Sequence, residues 1–130
     1  MQDLKPGDDI PVIMYIFGGR FIFGSNTVQG PQYLMNKKII IVQPNFRLGP
    51  LGYASTGDEI ISGNMGFKDQ TMALRWTREN IRAFGGNPDQ ITLYGHSTGS
   101  ISCMFHAFSP LSRGTLKILS LFNLVHRETG

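Results

Sequence analysis

The sequence has few of the residues that are typical of disulfide-rich proteins, membrane proteins or nucleic-acid-binding proteins. Cys103 is the only cysteine, which excludes a disulfide within the chain. No apolar run approaches the roughly 20 residues of a membrane-spanning helix, and the opening MQDLKPGDD lacks the apolar segment of a signal peptide. The net charge of +3 arises from scattered basic residues. We therefore expect no nucleic-acid partner, which would require clustered charge.

The chain also lacks internal repeats and the spacing of metal ligands, so we expect neither a metal nor a cofactor. The single cysteine leaves the cellular compartment open. Apolar residues make up 41% of the 130 residues and charged residues 16%, a mixture that builds a hydrophobic core rather than a disordered chain. The 16 glycines indicate tight turns or close backbone approaches, and the length suits one domain.

Three short apolar runs predict strands that are buried on both faces. They are PVIMYI (11–16), KKIIIVQ (37–43) and ITLY (91–94). Continuous runs of this kind are typical of parallel sheets covered by helices. Crossover connections place binding groups at the carboxyl ends of such strands. The glycines that follow the first and third runs, at 18–19 and 95–99, therefore belong to one candidate site.

Two segments predict helices. Apolar side chains recur at three- and four-residue steps from about 67 to 84, and we expect Trp76 to face the core. Residues 98–108 predict a second helix, with Cys103 packed inside it. The Gly/Pro-rich segment 45–64 predicts a loop. The order of strand, loop, strand, helix, strand and helix predicts an α/β fold with a mostly parallel sheet.

Ser97 lies between Gly95 and Gly99, directly after a predicted strand and before a predicted helix. The pattern Gly-x-Ser-x-Gly in this context is typical of a nucleophile elbow. The glycines admit a very sharp turn, and the serine takes a strained conformation that exposes its hydroxyl. The alternative is an ordinary glycine-rich turn.

A serine that carries out acyl transfer needs N–H donors directed at the oxyanion. In this architecture one donor follows the nucleophile, which is Thr98 here, and others come from a glycine-rich loop after an earlier strand. Gly19 and the main chain of Arg20 occupy that loop. A simple glycine turn is again the alternative.

Three segments carry a family resemblance: IMYIFGGRFIFGS, NFRLGPLGY and GNMGFKDQTMALRWTRENIRAFGGNPDQITLYGHSTG. From about Ile10 to Gly114 the chain resembles the type B carboxylesterase and cholinesterase family of the α/β-hydrolase fold. Within that family it resembles the insect esterases most in sequence. The resemblance implies hydrolysis of small-molecule carboxylic esters through an acyl-enzyme on Ser97. It also implies a buried, structural ion pair between Arg47 and Asp69.

Two positions of the site depart from the family pattern. The oxyanion loop usually reads His-Gly-Gly-Gly, whereas Phe17 and Arg20 occupy its first and last positions here. An arginine where the family has glycine either crowds the acyl pocket or adds a positive charge near the oxyanion; we favour crowding and expect a lowered rate. The residue before the nucleophile is usually Glu and is His96 here. Because adjacent residues at a sharp elbow point different ways, we expect His96 to form a polar wall rather than to act as the base.

The acid and the histidine of a catalytic triad follow the serine in this fold. After Ser97 the only acidic residue is Glu128, and no histidine follows it. His106, expected to be a packed or surface residue, and His126 match no catalytic position of the family. Without a base the serine is a weak nucleophile at neutral pH, so we expect a chain that is inactive alone.

We therefore predict a partial carboxylesterase type B domain at residues 1–114 and a divergent tail at 115–130. Strands without neighbours would leave sheet edges and apolar surface exposed, so we expect marginal stability or aggregation. Two other interpretations stay open. One is a non-catalytic adhesion or binding homologue of the same fold, and the other is a structural remnant without activity.

Overall fold

The computed structural model describes residues 5–27, 34, 36–114 and 118–122, the last of these as backbone only. Strands and helices alternate along the chain, which confirms the predicted α/β class. The strands are β1 (Ile10–Ile16), β2 (Ile40–Val42), β3 (Gly86–His96) and β4 (Ile118–Phe122). The helices are α1 (Gly49–Tyr53), α2 (Met65–Asn80) and α3 (Thr98–Phe108), with short 3-10 turns at Ile81–Phe84 and Pro110–Ser112.

The four strands form one parallel sheet in the order β2-β1-β3-β4. The core is centred on β1, where Val12, Met14 and Ile16 are completely buried. In the register between β1 and β3, Ile16 lies opposite Gly95. The carboxyl ends of these two strands are therefore side by side. This brings the glycine-rich loop after β1 next to the turn after β3, as parallel topology requires.

Two strands differ in length from the prediction. β3 begins at Gly86 instead of Ile91, because Gly86 already pairs with Ile10 before an irregularity in the register. β2 covers only Ile40–Val42 of the predicted segment 37–43, and its three residues are half-buried. Among the described strands β2 pairs with β1 alone. Pairing partners, rather than apolar residues, decide where a strand ends.

Residues 45–64 were predicted as a loop, and the five-residue helix α1 within them corrects that prediction. Pro50 occupies the first turn of α1, where its missing N–H costs nothing. Gly52 is buried, and a Cβ at this position would overlap the carbonyl oxygen of Arg47. The glycines and proline that predict a loop are therefore compatible with a short, closely packed helix.

The prediction that Trp76 faces the core is wrong. Trp76 is 50% exposed and Met72 is 71% exposed. The inward face carries Gln70, Leu74 and Thr77 instead, all of them almost completely buried. Leu74 contributes to the core, and the Thr77 hydroxyl donates to a main-chain carbonyl one turn earlier in α2. Buried polar groups are tolerated when they are hydrogen-bonded, so periodicity alone does not show which face packs.

The helix α3 has the predicted bounds, and Cys103 lies in the core as expected. Burial raises the pKa of its thiol to about 12, so the group stays neutral. His106 is also packed, with Nδ1 2.8 Å from Ser112 Oγ and Nε2 3.0 Å from Gln70 Oε1. Burial lowers the pKa of His106 to about 4. This network joins α2, α3 and the following turn.

β4 lies within the predicted tail, residues 115–130. Residues 115–117 and 123–130, with His126 and Glu128, lie outside the described residues. The domain boundary at Gly114 stays a prediction.

Candidate active site

Ser97 is the single residue between the end of β3 and the first residue of α3. Its backbone angles are φ +55° and ψ −122°, a combination that residues other than glycine rarely adopt. Its side chain makes no capping hydrogen bond to α3. The strain is of the kind that concentrates at functional sites, where the surrounding structure imposes it.

The glycines on either side of Ser97 are required by close packing of the backbone. A Cβ at Gly95 would overlap the carbonyl group of Gly99, one helical turn further along the chain. A Cβ at Gly99 would overlap the carbonyl oxygen of Ile16 at the end of β1. The first turn of α3 therefore sits directly against the carboxyl end of β1, and no larger residue fits at either position.

The loop after β1 lies against the same turn. A Cβ at Gly18 would be 2.9 Å from the Cβ of Ser97 and 2.7 Å from the carbonyl oxygen of His96. Gly19 has φ +131°, and a Cβ there would overlap the carbonyl oxygen of Phe23. Gly18 thus lets the loop approach Ser97, whereas Gly19 lets the loop close on itself.

Of the three predicted oxyanion residues, Gly19 lines the cavity beside Ser97 and Thr98 is the first residue of α3. Arg20 has φ +56°. This residue lines a different groove, together with Tyr53 and Phe105. Gly18 was predicted to belong to the candidate site, but its close approach to Ser97 was not. The available clue was that Gly18 is the first glycine after β1, whose end pairs with the end of β3. That clue can be used only when the register of the two strands is known.

A cavity of about 260 Å³ lies beside Ser97. Its described lining consists of aromatic and polar side chains and three glycines: Tyr15, Phe17, Phe23, His96, Ser25, Ser97, Gly18, Gly19 and Gly24. His96 therefore lies in a wall of the site, as predicted. None of these lining residues is an aspartate, glutamate, lysine or arginine, so the cavity suits an uncharged group.

Among the described residues no group of three or more His, Cys, Asp or Glu side chains is arranged to hold a metal ion. Both ring nitrogens of His106 are engaged by Ser112 and Gln70, so this histidine is committed to the packing of α2 against α3. His126 lies outside the described residues.

Arg47 and Asp69 meet in a two-pronged contact. Arg47 Nη2 and Nε donate to the two carboxylate oxygens at 2.7 Å and 2.8 Å, and the Arg47 main-chain N–H donates at 3.0 Å. These hydrogen bonds hold the pKa of Asp69 below its usual value and raise the pKa of Arg47. The resemblance implied a buried pair, but the Arg47 side chain is 53% exposed. The contact joins the segment before α1 to α2.

Comparisons with known proteins agree with this arrangement. The profile of the carboxylesterase family matches residues 2–121. Venom carboxylesterase-6 of Apis mellifera is 48% identical over 108 residues, covering 83% of this chain and 19% of that protein. Esterase E4 of Myzus persicae is 46% identical over 130 residues, covering 99% of this chain and 22% of that protein. A crystal structure of a Geobacillus stearothermophilus carboxylesterase superimposes with a TM-score of 0.85 at 36% identity, covering 91% of this chain and 26% of that one.

The parallel sheet and its flanking helices are therefore part of an α/β-hydrolase fold. The chain belongs to the carboxylesterase family. It spans about a fifth of the length of the curated relatives that it matches. Of the helices in the described ranges, none has both the length and the apolar composition to cross a lipid bilayer.

Proposed function

We propose that Ser97 is the nucleophile of a carboxylic ester hydrolase. Its hydroxyl attacks the ester carbonyl, the alcohol leaves, and water then releases the acid from the acyl-enzyme. The observation that carries the proposal is the strained single-residue turn at Ser97, with Gly18 packed against it. Membership of the carboxylesterase family supports the same chemistry. The substrate class is a small-molecule carboxylic ester.

The main-chain N–H groups of Gly19, Arg20 and Thr98 are the proposed oxyanion donors. Thr98 begins α3, a helix of 11 residues, and the amino-terminal end of a helix favours developing negative charge. Gly19 belongs to the loop that the absence of a side chain at Gly18 allows to approach Ser97. Losing one donor of an oxyanion hole costs a factor of about 10²–10³ in rate.

The nucleophile also needs a base, and we propose that the 130-residue chain is inactive alone. His106 is buried and bonded at both ring nitrogens, and His96 is too close in sequence to Ser97 to face its hydroxyl at a sharp turn. In this fold the acid and the histidine come after the serine in the chain. The chain would then supply the nucleophile and the oxyanion donors but not the base.

Labelling with a fluorophosphonate probe tests the proposal. We expect no label on the 130-residue chain, since no histidine in the described ranges is placed to act as the base of Ser97. We expect strong labelling when residues 2–121 replace the matching segment of the Myzus persicae esterase, and loss of that label in Ser97→Ala. Ser25→Ala is the matched control, because Ser25 lines the same cavity, and it should keep the label. A folded chimera without label, or a label that survives Ser97→Ala, would contradict the proposal.

A second candidate is a non-catalytic binding homologue of the same fold. Arg20 and His96, which stand where the family usually has glycine and glutamate, favour it, as does the engagement of both ring nitrogens of His106 by Gln70 and Ser112. The two candidates differ in the chimera. A binding homologue predicts a folded chimera in which Ser97 does not react with the probe.

A further inference from the structure

The loop between β1 and Asn26 forms one wall of the cavity beside Ser97, and its shape is set by its own backbone. The carbonyl oxygen of Gly19 accepts from the main-chain N–H groups of Ile22 and Phe23, at 3.0 Å and 3.1 Å. Gly24 has φ +127°, and a Cβ there would be 2.7 Å from the ring of Phe17. The compact shape of the loop therefore depends on glycine at both Gly19 and Gly24.

Two neighbouring apolar residues of this loop line different cavities. Ile22 is 66% exposed and Phe23 is 62% exposed. Phe23 lines the cavity beside Ser97, whereas Ile22 lines the separate groove that also contains Arg20 and Tyr53. The two residues are adjacent and similarly exposed, but Phe23 lines the candidate site and Ile22 does not.

The other aromatic walls of the cavity are fixed by the core. Phe17 is buried and stacks on Phe46 with ring centroids 4.5 Å apart, and Tyr15 is buried with its ring 5.5 Å from that of Tyr94. Phe23 is the exposed member of the aromatic set. A change at Phe23 therefore alters the size of the cavity without removing core packing.

From this arrangement we infer that Phe23 sets the size of the apolar group that the ester places beside Ser97. The inference rests on the proposed function. The cavity of about 260 Å³ accepts an uncharged aryl or short alkyl group against the rings of Phe17 and Phe23. Phe23 is a specificity-determining residue in this scheme. A group that fits the cavity buries apolar surface against the Phe23 ring, whereas a larger group would overlap with the ring.

Binding to the 130-residue chain tests this without any turnover. Ligand-detected NMR titration with phenyl acetate and 2-naphthyl acetate gives the ratio of the two dissociation constants. We expect Phe23→Ala to shift this ratio by about tenfold toward the naphthyl ester, the size of effect that small changes in pocket volume produce. Phe23→Trp, which narrows the cavity, should shift it the other way. Ile22→Ala should leave the ratio within about twofold of the unsubstituted chain.

Circular dichroism establishes that each variant keeps the fold. The inference is overturned if Phe23→Ala and Phe23→Trp leave the ratio unchanged, if Ile22→Ala shifts it equally, or if the unsubstituted chain binds neither ester. The outcome is separable from the labelling of Ser97. A labelled chimera with no effect of Phe23 contradicts this inference alone, whereas an unlabelled chimera contradicts the proposed hydrolysis.

Discussion

At the carboxyl ends of β1 and β3 the backbone is packed so closely that a Cβ does not fit at Gly18, Gly95 or Gly99. The outer face of α2 shows the opposite situation, with Met72 and Trp76 largely exposed. In the first region the described chain itself supplies every contact that the residues require. In the second, the Trp76 ring lies 6.3 Å from that of Phe84, and both side chains stay about half exposed.

The comparison shows how one short chain combines two kinds of constraint. Residues around Ser97 are dictated by steric exclusion, which acts within a few ångströms. An exposed apolar face such as that of Met72 and Trp76 marks a surface suited to contact with other protein. The expected exposure of apolar surface is therefore found on the outer face of α2. The four predictions below test the contrast.

The largest effect should come from Gly99→Ala. The added Cβ overlaps the carbonyl oxygen of Ile16, and because both atoms belong to packed backbone neither gives way easily. We expect a loss of about 3 kcal/mol or more in the free energy of unfolding, measured by urea denaturation. Gly57→Ala is the control. Gly57 has φ +77° with nothing near its Cβ position, so only about 1 kcal/mol of backbone strain is expected. Equal losses would contradict the steric argument.

Opposite faces of α2 should respond differently to truncation. Leu74→Ala removes a core side chain that is 1% exposed, and we expect a loss of about 2–3 kcal/mol in the free energy of unfolding. Trp76→Ala removes a larger side chain from the outer face and should cost less than about 1 kcal/mol. Thermal and urea denaturation of the two variants measure this. A greater loss for Trp76→Ala would show that the outer face is packed in solution.

Acid should destabilise the region where α2 meets α3. Burial places the pKa of His106 at about 4, below its ordinary value of 6.5, so the folded chain resists protonation. Between these two pH values the unfolded chain binds more protons at this site. The free energy of unfolding therefore falls as the pH decreases from 6.5 to 4, by up to about 3 kcal/mol from this group.

Urea denaturation at pH 7, 5.5 and 4 measures that dependence. His106→Gln keeps a hydrogen-bonding side chain but does not titrate, so its stability should change less across this range. The difference between the two chains isolates the histidine from the carboxylates, which also titrate near pH 4. Parallel pH profiles would refute the assignment.

The smallest expected effect concerns Arg20. Glycine suits the φ of +56° at this position, and it removes a charged side chain from the oxyanion loop. In the chimera used for labelling, we expect Arg20→Gly to increase ester turnover by about tenfold. This is smaller than the factor of about 10²–10³ in rate that the loss of one oxyanion donor costs. Arg20→Ala separates the two causes, because it shortens the side chain but keeps the strain. No gain in either variant would show that Arg20 does not limit the rate.

Local sequence was sufficient for much of the fold. Continuous apolar runs and helical periodicity predicted the α/β order, and the bounds of α3 agree with the prediction. The position of Ser97 between two glycines was also readable, because tight turns leave a compositional trace. Trp76 was misplaced because the spacing of apolar residues shows which side chains share a face, not which face meets the sheet.

Residue identity and spacing were therefore enough to predict the fold class and the candidate nucleophile, and the resemblance of three segments pointed to the family, which the comparisons show. Three features needed the assembled chain: the contact of Gly18 with Ser97, the direction of Arg20 into a separate groove, and the polar inner face of α2. Each depends on residues far apart in sequence that meet through the register of the sheet. Turn chemistry and periodicity act over a few residues, whereas burial and steric exclusion act between elements that only folding brings together.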